Sequence, residues 1–305
     1  MIRVGIAGWD YPDWAGIVYP SRPPRGFDRL AFLASFFDVI EINSTFYRQP
    51  DHRAASSWAR RVKRNKEFRF TAKLYRGFTH GGRIPGLPSL PSTGTGLAAE
   101  AERYRSGLEP LLAAGLLQAV LMQFPQSFHD GTESRVRVES LARTFSGLPL
   151  VAEFRHRSWD NQEVLRLLRD LGIGFCNLDQ PRLGSTLEPT EHLTAPLAYV
   201  RLHGRNADNW FTPRATAASR YDYFYSMAEL EPWLERARRL AQSAREVVII
   251  ANNHYRGKGP ANGLMLRAAL LGERVKAPAS LVETYPPLAA RADRLPSEAA
   301  QGRLF

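Results

Sequence analysis

Short apolar, β-prone runs alternate along the chain with segments whose apolar positions recur every three to four residues. Eight runs read as strands: Arg3–Ala7, Val39–Asn43, Glu67–Lys73, Gln118–Phe124, Leu150–Arg155, Ile173–Asn177, Ala198–His203 and Glu246–Asn252. Helical patterning fills residues 27–36, 52–64, 97–114, 133–146, 161–170, 228–243 and 260–272, and only the connection between the sixth and seventh strands lacks a clear helix. This alternation predicts an α/β fold, a TIM (β/α)8 barrel over residues 1–285, with 286–305 as a C-terminal tail. A doubly wound open sheet is the alternative, but its first turn usually carries a glycine-rich phosphate fingerprint. Gly8-Trp9-Asp10-Tyr11-Pro12 has none, and the sequence holds no Walker-type loop, HExxH pair or internal repeat.

Barrel strands are covered on both faces and should be almost wholly apolar, so their polar residues are informative. In these strands they follow side-chain parity. Glu41 and Asn43 share one face of the second strand and Ile40 and Ile42 the other. Glu153 and Arg155 share a face of the fifth strand; Tyr199, Arg201 and His203 share one of the seventh; Ile250, Asn252 and His254 share one of the eighth. Lys73 and Gln123 close their strands, and Asp179 lies just past the sixth. Ionised groups are seldom buried without a partner or ligand, so these residues predict a site at the C-terminal mouth of the barrel. A purely structural network, with Glu41 and Glu153 neutralising Arg155 and Arg201, is the competing explanation. Two long segments, 76–96 and 204–227, leave strand C-termini and are expected to border that mouth. The first is rich in glycine and proline; the second mixes Arg205, Arg214 and Arg220 with Trp210, Phe211, Tyr221, Tyr223, Phe224 and Tyr225.

Composition narrows the class. A hydrophobic fraction of 44% over 305 residues supports a large core, and no apolar run approaches the ~20 residues of a membrane span. Cys176 is the only cysteine, which points to a reducing cytoplasm and excludes a multi-cysteine zinc site. It falls within an apolar strand, as a buried structural thiol does. The formal charge is +11, with arginine supplying 36 of 41 basic residues, which suggests an anionic partner. The arginines are scattered, and arginine enrichment also arises without a binding role. No nucleophile elbow is present around Ser44, Thr45 or Ser158.

Five segments carry a family resemblance: Glu41-Ile42-Asn43-Ser44-Thr45-Phe46-Tyr47, Gln123-Phe124-Pro125, Glu153-Phe154-Arg155-His156-Arg157-Ser158-Trp159, Arg201-Leu202-His203-Gly204-Arg205 and Asn252-Asn253-His254-Tyr255-Arg256-Gly257. In this order they resemble the domain of unknown function 72, or YecE-like, family, from Gly5 to about Leu271. The resemblance implies a TIM barrel and supplies neither a reaction nor catalytic residues.

Function therefore rests on the mouth. The first hypothesis is an enzyme acting on a phosphate-containing or phosphodiester substrate. Lys73, Arg155, Arg201 and Arg205 would hold the anion; Glu41 or Glu153 would act as base and His203 or His254 as acid. Asn43, Gln123, His156, Asp179, Asn252 and Asn253 would complete the substrate site. No cofactor is implied, although Glu, Asp and His at the strand ends leave room for a divalent metal. The second hypothesis is a non-catalytic binder of single-stranded nucleic acid, with the aromatics of 210–225 stacking on bases. Neither involves a membrane, and the oligomeric state is left open.

Overall fold

The computed structural model describes residues 1–80, 95–210, 212 and 217–295; most of the glycine- and proline-rich segment, 81–94, lies outside these residues, as do Phe211 and Arg214. Eight parallel strands close on one another in sequence order: β1 (Ile2–Ala7), β2 (Val39–Ile42), β3 (Arg69–Lys73), β4 (Leu117–Gln123), β5 (Leu150–Glu153), β6 (Gly174–Asp179), β7 (Leu197–Leu202) and β8 (Glu246–Ala251), with β8 returning to pair β1. Outside them run α1 (Arg29–Leu33), α2 (Ser44–Tyr47), α3 (His52–Val62), α4 (Arg76–Thr79), α5 (Thr95–Ala113), α6 (Thr132–Thr144), α7 (Gln162–Asp170), α8 (Ala207–Trp210), α9 (Ala217–Arg220), α10 (Met227–Ser243), α11 (Lys258–Leu271) and α12 (Ala279–Thr284). The strands are apolar because helices cover one face and the barrel interior the other: Val248, Ile249 and Ile250 are all fully buried. No helix among the described residues is long and apolar enough to cross a membrane.

Register decides which residues point inward, because partners in a parallel ladder share a face. Glu41 pairs with Thr71, and Lys73 with Leu121. Gln123 pairs with Glu153, Leu178 with Arg201, and Arg201 with Ile250. One continuous inner ring follows from these pairings. It also turns Asn177 and Asp179 outward, since they pair with Val200 and Leu202 of the helix-facing side.

The β6–β7 connection has no helix, and its sequence holds Pro181, Gly184, Pro189 and Pro196. Side chains stitch it down instead. Asn177 accepts hydrogen bonds from the Thr190 hydroxyl (2.8 Å) and the His192 amide (2.7 Å), and the Thr194 hydroxyl accepts from the Phe175 amide (2.8 Å). After α12 the chain continues through buried Leu288 into a strand, β10 (Ala292–Leu295), paired in parallel with β9 (Val275–Pro278).

Candidate functional site at the barrel mouth

The centre of the mouth is a buried ionic network. Arg201, with no exposed surface, donates from Nη2 to Glu41 Oε1 (2.7 Å) and from Nη1 to Glu153 Oε2. Tyr199, two residues earlier on the same face, donates to Glu41 Oε2 (3.0 Å) and bonds the Thr71 hydroxyl (2.8 Å). Glu153 also accepts from Gln123 Nε2 (2.5 Å) and Arg155 Nε (3.2 Å). Burial alone would raise the Glu153 pKa, but the Arg201 charge, the hydrogen-bonding His203 ring and Arg155 outweigh it and hold the carboxyl well below its usual range. The same pairing holds the Arg201 guanidinium well above its ordinary value against burial.

His203 completes the ring. Asn252 Nδ2 lies 2.8 Å from His203 Nδ1, so the amide donates and Nδ1 accepts. The remaining ring proton sits on Nε2, which faces Glu153 Oε1 at 3.4 Å. Burial drives the His203 pKa down to about 3 despite the attraction of Glu153, with Arg201 adding to the fall. The imidazole is neutral at physiological pH and acts as a spacer between Glu153 and Asn252.

Above the network, two cations keep some exposure: Lys73, with a side chain 10% exposed, and Arg155, at 19%. Lys73 Nζ donates to Gln123 Oε1 (3.3 Å), lies 3.9 Å from Glu41 Oε1, and sits over the Phe46 ring. Arg155 lies over the Trp210 ring, 5.6 Å from its centroid. Aromatic groups wall the rim. His254 stacks on Tyr11 (4.4 Å between centroids) and lies 5.0 Å from Tyr221, and Tyr221 approaches Trp210 at 6.1 Å. Asn43 donates to the Tyr11 hydroxyl (3.1 Å), and its Oδ1 is buried without a hydrogen-bond partner among the described residues. Burial pushes the Tyr221 phenol up, but Arg155, Lys73 and Arg201 together outweigh it and draw the pKa below the ordinary value. Burial lowers the His254 pKa.

The structure thus gathers Glu41, Asn43, Lys73, Gln123, Glu153, Arg155, Arg201, His203, Asn252 and His254 at one end of the barrel. Four expected members lie elsewhere. Asp179, on the outward face of β6, accepts from Trp233 Nε1 of α10 (2.6 Å) and takes the fork of Arg205 (Nε 2.9 Å, Nη2 2.7 Å). Arg205 is thereby spent on Asp179, and on Glu229 at 3.4 Å, and is not part of an anion clamp at the mouth. The intervening Gly204 makes this divergence: its φ of +93° suits glycine, and a Cβ there would lie 2.7 Å from Tyr223 Cβ. Asn253 follows inward Asn252 and so points outward, donating to the Tyr223 carbonyl (2.8 Å) and to Asn262 Oδ1 of α11 (2.8 Å). His156 bonds Ser158 (2.8 Å) and packs on His129.

Tyr11, Thr71, Tyr199 and Tyr221 were not assigned to the site from sequence, although Tyr199 shares the parity of Arg201 and that signal was available. Of the long segments, the described part of 204–227 reaches the mouth through Trp210 and Tyr221. Among the described residues, no group of three His, Cys, Asp or Glu side chains is placed to hold a metal ion. Arg201, Tyr199, Gln123 and Arg155 between them occupy the Glu41 and Glu153 oxygens that a metal would need. A cavity of about 470 Å³ opens at the opposite rim against Arg69, Gln118, Arg245 and Glu246.

A closed eight-stranded parallel barrel with helices outside it, its ionisable groups collected at the strand C-termini, is a TIM barrel. The chain belongs to the family described as protein of unknown function DUF72, whose model matches residues 3–287. It is similar to the crystal structure of a DUF72 family protein from Thermotoga maritima MSB8, with 31% identity and a TM-score of 0.74 over 90% of this chain and 100% of that one. It shares its fold with two crystal structures of a DUF72 family protein from Enterococcus faecalis V583, at 23% identity and TM-scores of 0.76 and 0.72. These cover 89% of this chain and 96% and 98% of the two structures' chains. No curated protein matches the sequence.

Proposed function

We propose that the barrel mouth binds a phosphate-containing small molecule and acts on it, with Lys73 and Arg155 as the anion-holding groups. The observation that carries this reading is a local excess of charge. Three cations, Lys73, Arg155 and Arg201, face two carboxylates, Glu41 and Glu153, and the fully buried Arg201 bridges both acids while Arg155 and Lys73 each touch one of them. One positive charge of the cluster is thus left over, and the two cations that keep some exposure, Lys73 and Arg155, are the ones that can share it with a ligand oxygen. Arginine suits a phosphate because its planar fork bonds two oxygens at once. Tyr221 and His254 supply proton-transfer groups on the wall above them, and Glu41 lies beneath Lys73.

Stacking of a nucleic-acid strand is less well supported. Trp210 and Tyr225, both expected as stacking platforms, are buried at 5% and 0% exposure and offer no free face to a base. To test the proposal, phosphomonoesters, nucleotides and a short phosphodiester are incubated with the protein and followed by phosphorus NMR. Conversion of one class by the wild type, lost in a folded Arg155→Ala variant, is the expected result. Conversion of none, or equal conversion by the variant, contradicts it.

A further inference from the structure

We propose that Lys73 is a covalent residue whose ε-amine condenses with the carbonyl carbon of a small phosphorylated aldehyde or ketone, while Arg155 holds the phosphate. The substrate class rests on the anion-binding reading above; the covalent role rests on Lys73 itself. The chain has only five lysines (Lys63, Lys66, Lys73, Lys258 and Lys276) among 41 basic residues. Lys63, Lys66 and Lys276 are exposed and Lys258 is ion-paired with Asp222, which leaves Lys73 as the one buried amine. A guanidinium would supply the same charge there, but it cannot condense with a carbonyl.

The surroundings fit an amine held ready to react. Its main chain is fixed, because the Lys73 carbonyl accepts from the Thr45 hydroxyl (2.7 Å) and the Tyr104 hydroxyl (2.9 Å). Its Nζ is not fixed. An ammonium has three donors, and Nζ makes one long hydrogen bond, to Gln123 Oε1, with the shared carboxylate of Glu41 at 3.9 Å. The Phe46 ring covers another side. Burial and the nearby Arg201 lower the Lys73 pKa against the pull of Glu41, which eases loss of the ammonium proton and exposure of the nucleophilic lone pair.

The step balances without an oxidant or reductant. The nitrogen lone pair attacks the carbonyl carbon, and the carbonyl π pair moves to oxygen. A proton passes from nitrogen to that oxygen, giving a neutral carbinolamine. The Tyr221 phenol then protonates the hydroxyl, which leaves as water, and the nitrogen lone pair closes the protonated imine. Phenolate stability beside Arg155 and Arg201 suits Tyr221 to that donation.

In the test, the full-length protein is incubated at neutral pH with glyceraldehyde 3-phosphate and sodium cyanoborohydride, which reduces an imine to a stable secondary amine. Peptide mapping then locates the adduct, and inorganic phosphate is titrated separately by calorimetry. The expected result is a single dominant adduct on Lys73, absent from Lys73→Arg and much weaker with unphosphorylated glyceraldehyde. Labelling that follows exposure, on Lys63, Lys66 and Lys276 with Lys73 unmodified, overturns the proposal. Phosphate binding without a Lys73 adduct overturns the covalent role and leaves the anion site standing. A Lys73 adduct formed equally well from unphosphorylated glyceraldehyde overturns the substrate class. Failure of both measurements removes both readings.

Discussion

Arg201 shows how a strand can carry full charges through the middle of a protein. Its guanidinium is wedged between Glu41 and Glu153, so each group is satisfied only while the others stay in place. Removing one partner of a buried pair leaves an uncompensated charge, at a cost of about 3–5 kcal/mol. Glu153→Gln is accordingly expected to lower unfolding stability by several kcal/mol in urea titrations, and a change within experimental scatter would contradict the network. Arg201→Ala should be as damaging, which makes it a poor probe of ligand binding. His203 predicts a pH effect of definite sign. Its folded pKa of about 3 lies below the ordinary 6.5, so the unfolded chain takes up a proton that the folded chain refuses. The stability this group contributes is fully present above pH 6.5 and is lost as pH falls toward 3, at ~1.4 kcal/mol per unit for one proton. His203→Gln should flatten the stability curve in that window; an unchanged slope would show that His203 is not the group responsible. Parity made Glu41, Glu153, Arg155, Arg201 and His203 legible in the sequence. The neutral state of His203 was not, because it depends on burial and on the nearby Arg201.

At the scale of elements, the strands and seven of the helices were legible because alternation of period two and of three to four survives in the residues that face the core. The misplaced residues trace to strand ends. The sixth strand extends to Asp179, and its register with β7 places Asn177 and Asp179 among the outward residues, a fact that only pairing reveals. Asn253 was swept in with its motif, yet it serves as a clasp. Asn262 of α11 accepts from the Tyr225 amide (3.0 Å) and from Asn253, and donates to the Tyr225 carbonyl (2.8 Å). This clasp ties the segment before α10 to α11 and so positions Tyr221 above the mouth. Asn262→Ala leaves a buried amide, a carbonyl and an Asn253 donor unpaired, each at about 1–3 kcal/mol. Hydrogen exchange over 219–226 should accelerate in that variant while the strand amides remain protected. Equal protection of 219–226 in both proteins would remove the clasp from the account.

For the molecule as a whole, the +11 charge says less about function than its distribution does. Many arginines are paired with carboxylates around the outside, as with Arg135 and Asp130, Arg239 and Glu191, and Arg274 and Asp293. Barrel closure was legible from eight strands, since eight is the number whose interior side chains just fill. The gathering of Lys73 and Arg155 under an aromatic rim was only partly so, because Trp210 and Tyr221 come from a segment with no periodicity. The most direct test of the account is calorimetric titration of inorganic phosphate into the wild type, Arg155→Ala, and Arg245→Ala at the opposite rim. A charge-assisted hydrogen bond is worth about 1.5–3 kcal/mol, so loss of Arg155 should weaken binding roughly ten- to hundredfold. Arg245→Ala should bind as the wild type does. Equal affinity in Arg155→Ala, or a loss confined to Arg245→Ala, would show that the anion does not bind at the barrel mouth.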